Sequence, residues 1–343
     1  MSRIVILSEF FRECKTFFTV FSVFLVYFGL FYYTIVRTDL FMLEIERFKE
    51  DVMPKIVTYP ISISGLPEDF RPFRIIHLSD LHGQVFGKNN CLLTEPIRRL
   101  APDLIVMSGD MINGGSRQAD VCGRRAFLQL CRTLAPLCPV YYSLGNHELE
   151  LPHSHLSSWL KKIGRTGVTV LDNQRADVIH DGVTFPIFGL TMPLLYYKDP
   201  LKKPYNRHAD WTCLNMETIF GSAPKSRSES TGPSILLAHN PLYFPAYRDW
   251  GADITFSGHI HGGIIRLPRF GGVLSPDLTL FPKYDGGCFS ETSPASPTAD
   301  SRILVVSRGL SDTCFKRILN PMEIVCAVIS ADADTNSLSC PGV

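Results

Sequence analysis

The sequence predicts a layered α/β domain carried behind one transmembrane helix. Three observations lead there. Short apolar, β-rich runs recur along the chain and end abruptly in clusters of Asp, Asn, His and Gly. Segments with apolar residues at helical spacing separate several of these runs. One stretch near the N-terminus, Thr16 to Val36, carries no charge and is dense in Phe, Val, Leu, Ile and Tyr. Continuous apolar runs suit strands buried on both faces, and interleaved helices make an α/β layering in which ligands gather beyond the strand ends.

Taken in order, residues 1–15 are an N-terminal tail and 16–36 the predicted membrane span, since roughly 20 apolar residues cross a hydrocarbon core. Arg12 and Lys15 flank one end and Arg37 the other. A cleaved signal would need a small-residue cleavage site, and Tyr32, Tyr33 and Thr34 stand at the exit instead. Basic residues are balanced across the span, so the positive-inside rule does not orient it. Residues 37–69 read as a connecting segment with short strands, closed by the turn signals Gly65-Leu66-Pro67 and Arg71-Pro72.

The main domain is expected over residues 70–331. Its five strand-plus-cluster units begin at Arg74, Leu104, Val140, Ile235 and Ile254, and end at His82, Asp110, Glu148, Asn240 and His261. Helices are expected at Glu95 to Leu100, Arg125 to Leu134 and Ser154 to Ile163, the last with a serine cap. Further strands are expected at Val168 to Leu171, Val178 to Ile179, Val183 to Leu190, Ile303 to Val306 and Ile324 to Ile329, the last two completing one sheet. Residues 332–343 read as a loose polar tail.

Composition narrows the function classes. With 45% hydrophobic and 20% charged residues the chain has material for a core. A net charge of +1 gives no basic field for nucleic acid. The ten cysteines are scattered without a C-x-x-C pair and read as reduced thiols, which favours a reducing compartment and a domain on the cytoplasmic face.

Each cluster alone is a weak signal. Together they bring carboxylate, amide and imidazole donors without thiolate to the ends of strands in one domain, a donor set that suits Mn, Fe, Zn or Mg. His77, His153, His155, His180 and His208 fit no such cluster and read as structural or surface residues.

The ordered motifs Asp80-x-His82, Gly109-Asp110, Gly145-Asn146-His147-Glu148, His239 and Gly258-His259-Ile260-His261 resemble the calcineurin-like metallophosphoesterase family. The resemblance implies two mixed β-sheets packed together and flanked by helices, around two divalent metal ions, with Mn²⁺ favoured. It implies that Asp80, His82 and His261 hold one ion and Asn146, His239 and His259 the other, with Asp110 bridging. It implies in-line attack of an activated water on phosphorus. His147 would then serve the leaving group as acid or cation, and Glu148 would orient its neighbours.

Gly258 to Pro268, Val306 to Leu310 and Leu171 to Asn173 are similar to a membrane-associated bacterial branch of that family. The resemblance then implies an inner-membrane enzyme acting on a lipid-borne substrate at the bilayer. The expected reaction is cleavage of the pyrophosphate of a nucleotide lipid such as UDP-2,3-diacylglucosamine, in lipid A synthesis. Between Met192 and Gly232, Tyr196, Tyr197 and Trp211 lie beside Lys202 and Lys203, a mixture that suits either substrate and membrane contact or a solvated surface insertion. The alternatives are a broad membrane phosphodiesterase or phosphatase, and a non-catalytic scaffold. A scaffold would have no need of seven ligands and His147.

Overall fold

The computed structural model describes residues 53–115, 118–197, 214–224, 230–267, 270–276, 279–292, 301–311 and 317–331. The expected span at 16–36, the tail from Asp332, and Lys202, Lys203 and Trp211 lie outside them. Among the described residues no helix is long and apolar enough to cross a membrane.

Two six-stranded sheets dominate. The first has the order β1 (Lys55–Ile63), β14 (Glu323–Ala331), β2 (Phe73–Leu78), β3 (Leu104–Met107), β4 (Val140–Tyr142), β5 (Thr169–Val170). The second runs β12 (Gly287–Glu291), β13 (Arg302–Val306), β9 (Ile254–Ser257), β8 (Ile235–Ala238), β7 (Val183–Leu190), β6 (Gln174–His180). Both are mixed. The runs β2-β3-β4-β5 and β13-β9-β8-β7 are parallel, with antiparallel strands at β14, β12 and β6.

Alternation along the strands makes the layers. Phe73 and Ile75 of β2 meet Ile187, Ile235, Ile254 and Phe256 in one core between the sheets. The intervening Ile76 and Leu78 face the other way, onto helices α1 (Cys91–Arg99), α2 (Gln118–Leu134) and α4 (His153–Gly164). A third cluster packs Leu236 and Leu304 of the second sheet under α5 (Met216–Phe220) and α6 (Phe244–Trp250). Period-two alternation therefore yields a helix–sheet–sheet–helix stack. Each fully buried Phe or Ile in it contributes about 1.5–3 kcal/mol relative to exposure.

Three details differ from the sequence reading. The strands at Ile303 and Ile324 do not share a sheet: β13 joins the second and β14 the first. The helix at His153 starts after Pro152 with no side-chain cap bond, so Ser154 is not its cap. Cys288, buried on β12, is disulfide-bonded, so not every cysteine is a reduced thiol, which weakens the argument for a reducing compartment. In addition β1, within the stretch read as a connector, pairs residue for residue with β14 over its whole length.

Candidate metal centre

Because β2, β3 and β4 run parallel to one another in the first sheet and β8 and β9 do so in the second, the clusters that follow them emerge at strand C-termini. Asp80 and His82 follow β2, Asp110 follows β3, and Asn146 and His147 open the short helix α3 (Asn146–Leu149) after β4. His239 follows β8 directly, and His259 and His261 follow β9. Five of these residues take left-handed backbone conformations: Asp80 (φ 53°), His82 (47°), Asp110 (53°), His259 (69°) and His261 (55°). Such conformations cost about 1 kcal/mol or more each and persist where the surroundings over-determine them, often at functional sites.

The side chains converge. His261 Nε2 lies 3.2 Å from Asp80 Oδ1 and 3.2 Å from His82 Nε2. His239 Nε2 lies 3.1 Å from Asp110 Oδ2 and 3.7 Å from Asp80 Oδ1. The His259 ring is 5.2 Å from that of His239. Three groups have donor atoms within 4.8 Å of one another: Asp80, His82 and His261; His82, Asp110 and His147; and Asp110, His239 and His259. Asp110 belongs to two of them. Geometry alone leaves His147 able to ligate, although its side chain is the more open one, 27% exposed against 1–2% for His82 and Asp110.

Backbone close approach makes this density feasible. A Cβ on Gly145 would collide with Asp110 Oδ1 and lie 2.6 Å from the Asp110 nitrogen, and one on Gly258 would collide with Ser79 Oγ and Asp80 Oδ2. Glu148 closes the arrangement from behind. Its buried carboxylate accepts the backbone N–H groups of Asp110 (2.9 Å), Met111 (2.8 Å), Ile112 (3.2 Å) and Gly145 (2.8 Å). One side chain thus ties the Asp110 loop to the loop bearing Asn146 and His147. Burial and the Asp110 charge push its carboxyl up, and the donated N–H bonds oppose that.

These residues fit a pair of divalent cations. The donors are hard oxygens and imidazole nitrogens. Asn146 Oδ1 is buried with no hydrogen-bond partner, an acceptor lacking a donor. His239 donates Nδ1–H to the Ser108 carbonyl at 2.8 Å, which turns Nε2 inward. His82 Nδ1 lies 3.1 Å from Asn113 Oδ1, while Asn113 Nδ2 donates to the His82 carbonyl at 3.1 Å. That pairing orients the amide and aims His82 Nε2 inward as well. Around His261 the roles reverse. Arg317, which can only donate, approaches Nδ1 at 3.3 Å and also donates to the His261 carbonyl at 3.2 Å. Nε2 then carries the ring proton, the one a cation would displace.

Electrostatics agree. Burial raises the carboxyls of Asp80 and Asp110, but the neighbouring His261 and His239 outweigh it and hold both below the usual range. Burial lowers His82 to about 3, aided by His147. Burial also acts to lower His239, yet Asp110, Asp80 and Glu148 push it up to about 9. The carboxylates therefore retain positive charge at the centre, as a proton where no cation is present.

Of the aromatic residues from the Met192–Gly232 stretch, Tyr197 is buried with its ring 5.1 Å from that of His259, and Tyr196 stacks edge-on against Tyr243. Tyr197 thus backs a histidine and does not face solvent. Sequence reasoning missed Asn113, Arg317 and the Ser108 carbonyl. An Asn three residues after Gly109-Asp110 was a signal that could have been followed, whereas a backbone carbonyl leaves none.

Residues 73–263, more than half of the chain, match the family described as calcineurin-like phosphoesterase. Among curated proteins, the UDP-2,3-diacylglucosamine pyrophosphatase LpxG of Chlamydia trachomatis is 26% identical, covering 76% of this chain and 85% of its own length. Phosphodiesterase YaeI of Escherichia coli is 28% identical over 60% of this chain and 66% of its own. The transmembrane protein with metallophosphoesterase domain of Danio rerio is 25% identical, and the match spans 61% of this chain but only 45% of that protein.

Proposed function

We propose that this chain, which belongs to the calcineurin-like phosphoesterase family, hydrolyses the pyrophosphate of a membrane-borne nucleotide lipid. As a family member it is a metal-dependent hydrolase. The adjacency of the Asp80, His82, His261 group and the Asp110, His239, His259 group carries the site assignment, with His82 Nε2 4.0 Å from Asp110 Oδ2 and His239 Nε2 3.7 Å from Asp80 Oδ1 between them. In this reading Asp80, His82 and His261 would hold one divalent ion and Asn146, His239 and His259 the other, and Asp110 would contribute to both. Bound divalent cations supply Lewis-acid polarisation of phosphoryl oxygens and a water of lowered pKa.

The chain's own residues do the rest. Asp110 is fixed by the His147 backbone N–H, which donates to Oδ1 at 2.8 Å. The His147 ring lies near the other oxygen, with Nε2 3.8 Å from Asp110 Oδ2 and Nδ1 3.5 Å from Glu150 Oε2. An imidazole set between two carboxylates at the open side is placed to donate a proton to a leaving phosphate oxygen. Glu148 keeps the two loops in register.

The substrate assignment rests on the likeness to LpxG, which extends over 85% of that protein, and on the uncharged stretch at 16–36. An acylated sugar nucleotide lies at a bilayer surface, where an anchored enzyme meets it. Manganese and the cytoplasmic face of a bacterial inner membrane belong to the same proposal. The likeness to phosphodiesterase YaeI favours a second reading, a membrane phosphodiesterase of broader specificity. The test is an assay of purified full chain with Mn²⁺ in detergent. UMP release from UDP-2,3-diacylglucosamine, lost in Asp80→Ala and His147→Ala, is expected. Turnover of simple phosphodiesters with none of the sugar nucleotide would transfer the case to the second reading.

A further inference from the structure

Beside the metal centre lies a cleft of about 710 Å³ that the reaction as described does not use. Its walls come from the antiparallel hairpin β10 (Ile265–Leu267) and β11 (Gly271–Leu274), from residues 281–289, and from Arg308 and Leu319. Two properties set it apart. Large apolar side chains around it are left in water, with Phe270 75%, Phe281 62% and Leu319 49% exposed. The cations of the lining, Arg266, Lys283 and Arg308, are each ion-paired, with Asp285, Glu291 and Glu323 in turn, so no bare charge opposes an apolar occupant. The size lies within the range of small-molecule pockets.

The cleft is preformed and tied to the centre through neighbouring backbone. Asp285 accepts from the Gly272 backbone N–H and from Arg266 Nη1 at 2.9 Å, which pins the hairpin to the 281–289 wall. Glu323 holds Arg308 through its backbone N–H at 2.8 Å and its side-chain Nε at 2.5 Å. The next residue, Gly309, packs so closely on Asp80 that a Cβ there would lie 2.7 Å from that of Asp80. Arg266 reaches back to the carbonyl of Gly262, the residue after His261, at 3.4 Å. One wall of the cleft therefore follows in sequence from His261, and another packs through Gly309 against Asp80. Apolar surface thus lies next to a phosphate-directed centre, and an amphiphile that carries a phosphate ester complements both.

We propose that this cleft is a subsite for the hydrocarbon tail of an anionic amphiphile whose phosphate ester lies at the aspartate–histidine centre. The inference rests on the phosphoesterase reading above and extends it to how the lipid is held. Each methylene fully removed from water contributes up to about fourfold in affinity, so a tail with only a few methylenes in the cleft gains at least about tenfold.

The test uses the full chain in nanodiscs with Mn²⁺ and two esters, methyl and dodecyl p-nitrophenyl phosphate. The readout is the ratio of kcat/KM for dodecyl over methyl. Partition of the dodecyl ester into the disc raises this ratio for every variant alike, so variants are compared with one another. Phe270→Ser and Phe281→Ser are expected to lower the ratio at least about fivefold, through KM, while Ile179→Ser, exposed on β6 of the second sheet, keeps it. An unchanged ratio in both phenylalanine variants overturns the proposal. So does a ratio that stays put while the substitutions lower the oligomeric state in sedimentation, which would make the cleft a contact between copies. If neither ester is hydrolysed, UMP release from UDP-2,3-diacylglucosamine decides the phosphoesterase reading, and calorimetric binding of dodecyl phosphate still decides the cleft. Binding weakened in Phe281→Ser supports it, and binding equal in all variants sinks it.

Discussion

Replacing Glu148 by Gln removes one charge at nearly constant size, yet it should be among the most damaging conservative changes in the chain. The two carboxylate oxygens divide four backbone donors between them: Met111 and Ile112 at Oε1, Asp110 and Gly145 at Oε2. A glutamine can place its oxygen on one side only. Its amino group then meets two N–H groups that have no acceptor in a fully buried position. Two stranded donors cost about 1–3 kcal/mol each, and the other two bonds lose their charge assistance, for a total of about 3–6 kcal/mol. At about 2–4 °C per kcal/mol for a domain of this order, the melting temperature should fall by roughly 6 °C or more. The assay is thermal unfolding of metal-free full chain in detergent, so that bound cations do not mask the loss. Glu95→Gln, exposed on α1, is the control and should shift by about 1 °C or less. If Glu148→Gln melted within about 2 °C of the parent, the view of Glu148 as the tie between the two loops would be wrong.

Three further outcomes follow from the same geometry. Asn113→Ala should weaken binding at the Asp80 group by about 10–100-fold, measured by Mn²⁺ calorimetry, because His82 loses the partner that sets its ring. His147→Gln should lower kcat by about 10²–10⁴ while the metal content by elemental analysis stays at the parental value; a fall in metal content would mark His147 as a ligand. Gly145→Ala should crowd Asp110 and weaken metal binding at least about tenfold, whereas Gly164→Ala, whose added methyl meets nothing within 4 Å, should leave it unchanged in the same titration.

The candidate site was legible in the sequence because its residues follow directly on buried strands, and such strands are the strongest local signal a chain carries. Arg74 to His82 reads as strand, then bend, then ligands, and the chain folds that way. What stayed hidden depends on distant partners. β1 alternates exposed and half-buried residues over much of its length, as an edge strand does, and reads as a loose connector until β14, far along the sequence, pairs with it. The assignment of β13 and β14 to different sheets is likewise a matter of topology, which residue pattern does not encode. Asn113 and Arg317 act through loops whose contacts exist only in the folded chain. The left-handed conformations of Asp80, Asp110 and His259 were also beyond reach, since Asp and His only weakly prefer them. The apolar cleft was missed because its hairpin strands are three and four residues long and the second opens on two glycines.

The central claim is that one metal-dependent phosphoesterase centre is built on Asp110 and the two groups around it. Stripping the full chain with a chelator and titrating Mn²⁺ back while following hydrolysis of bis-p-nitrophenyl phosphate tests it most directly. Activity should vanish on stripping and return to a plateau at two equivalents per chain, with no return in Asp110→Asn. Hydrolysis that persists in the stripped protein, or that returns fully in Asp110→Asn, would contradict it.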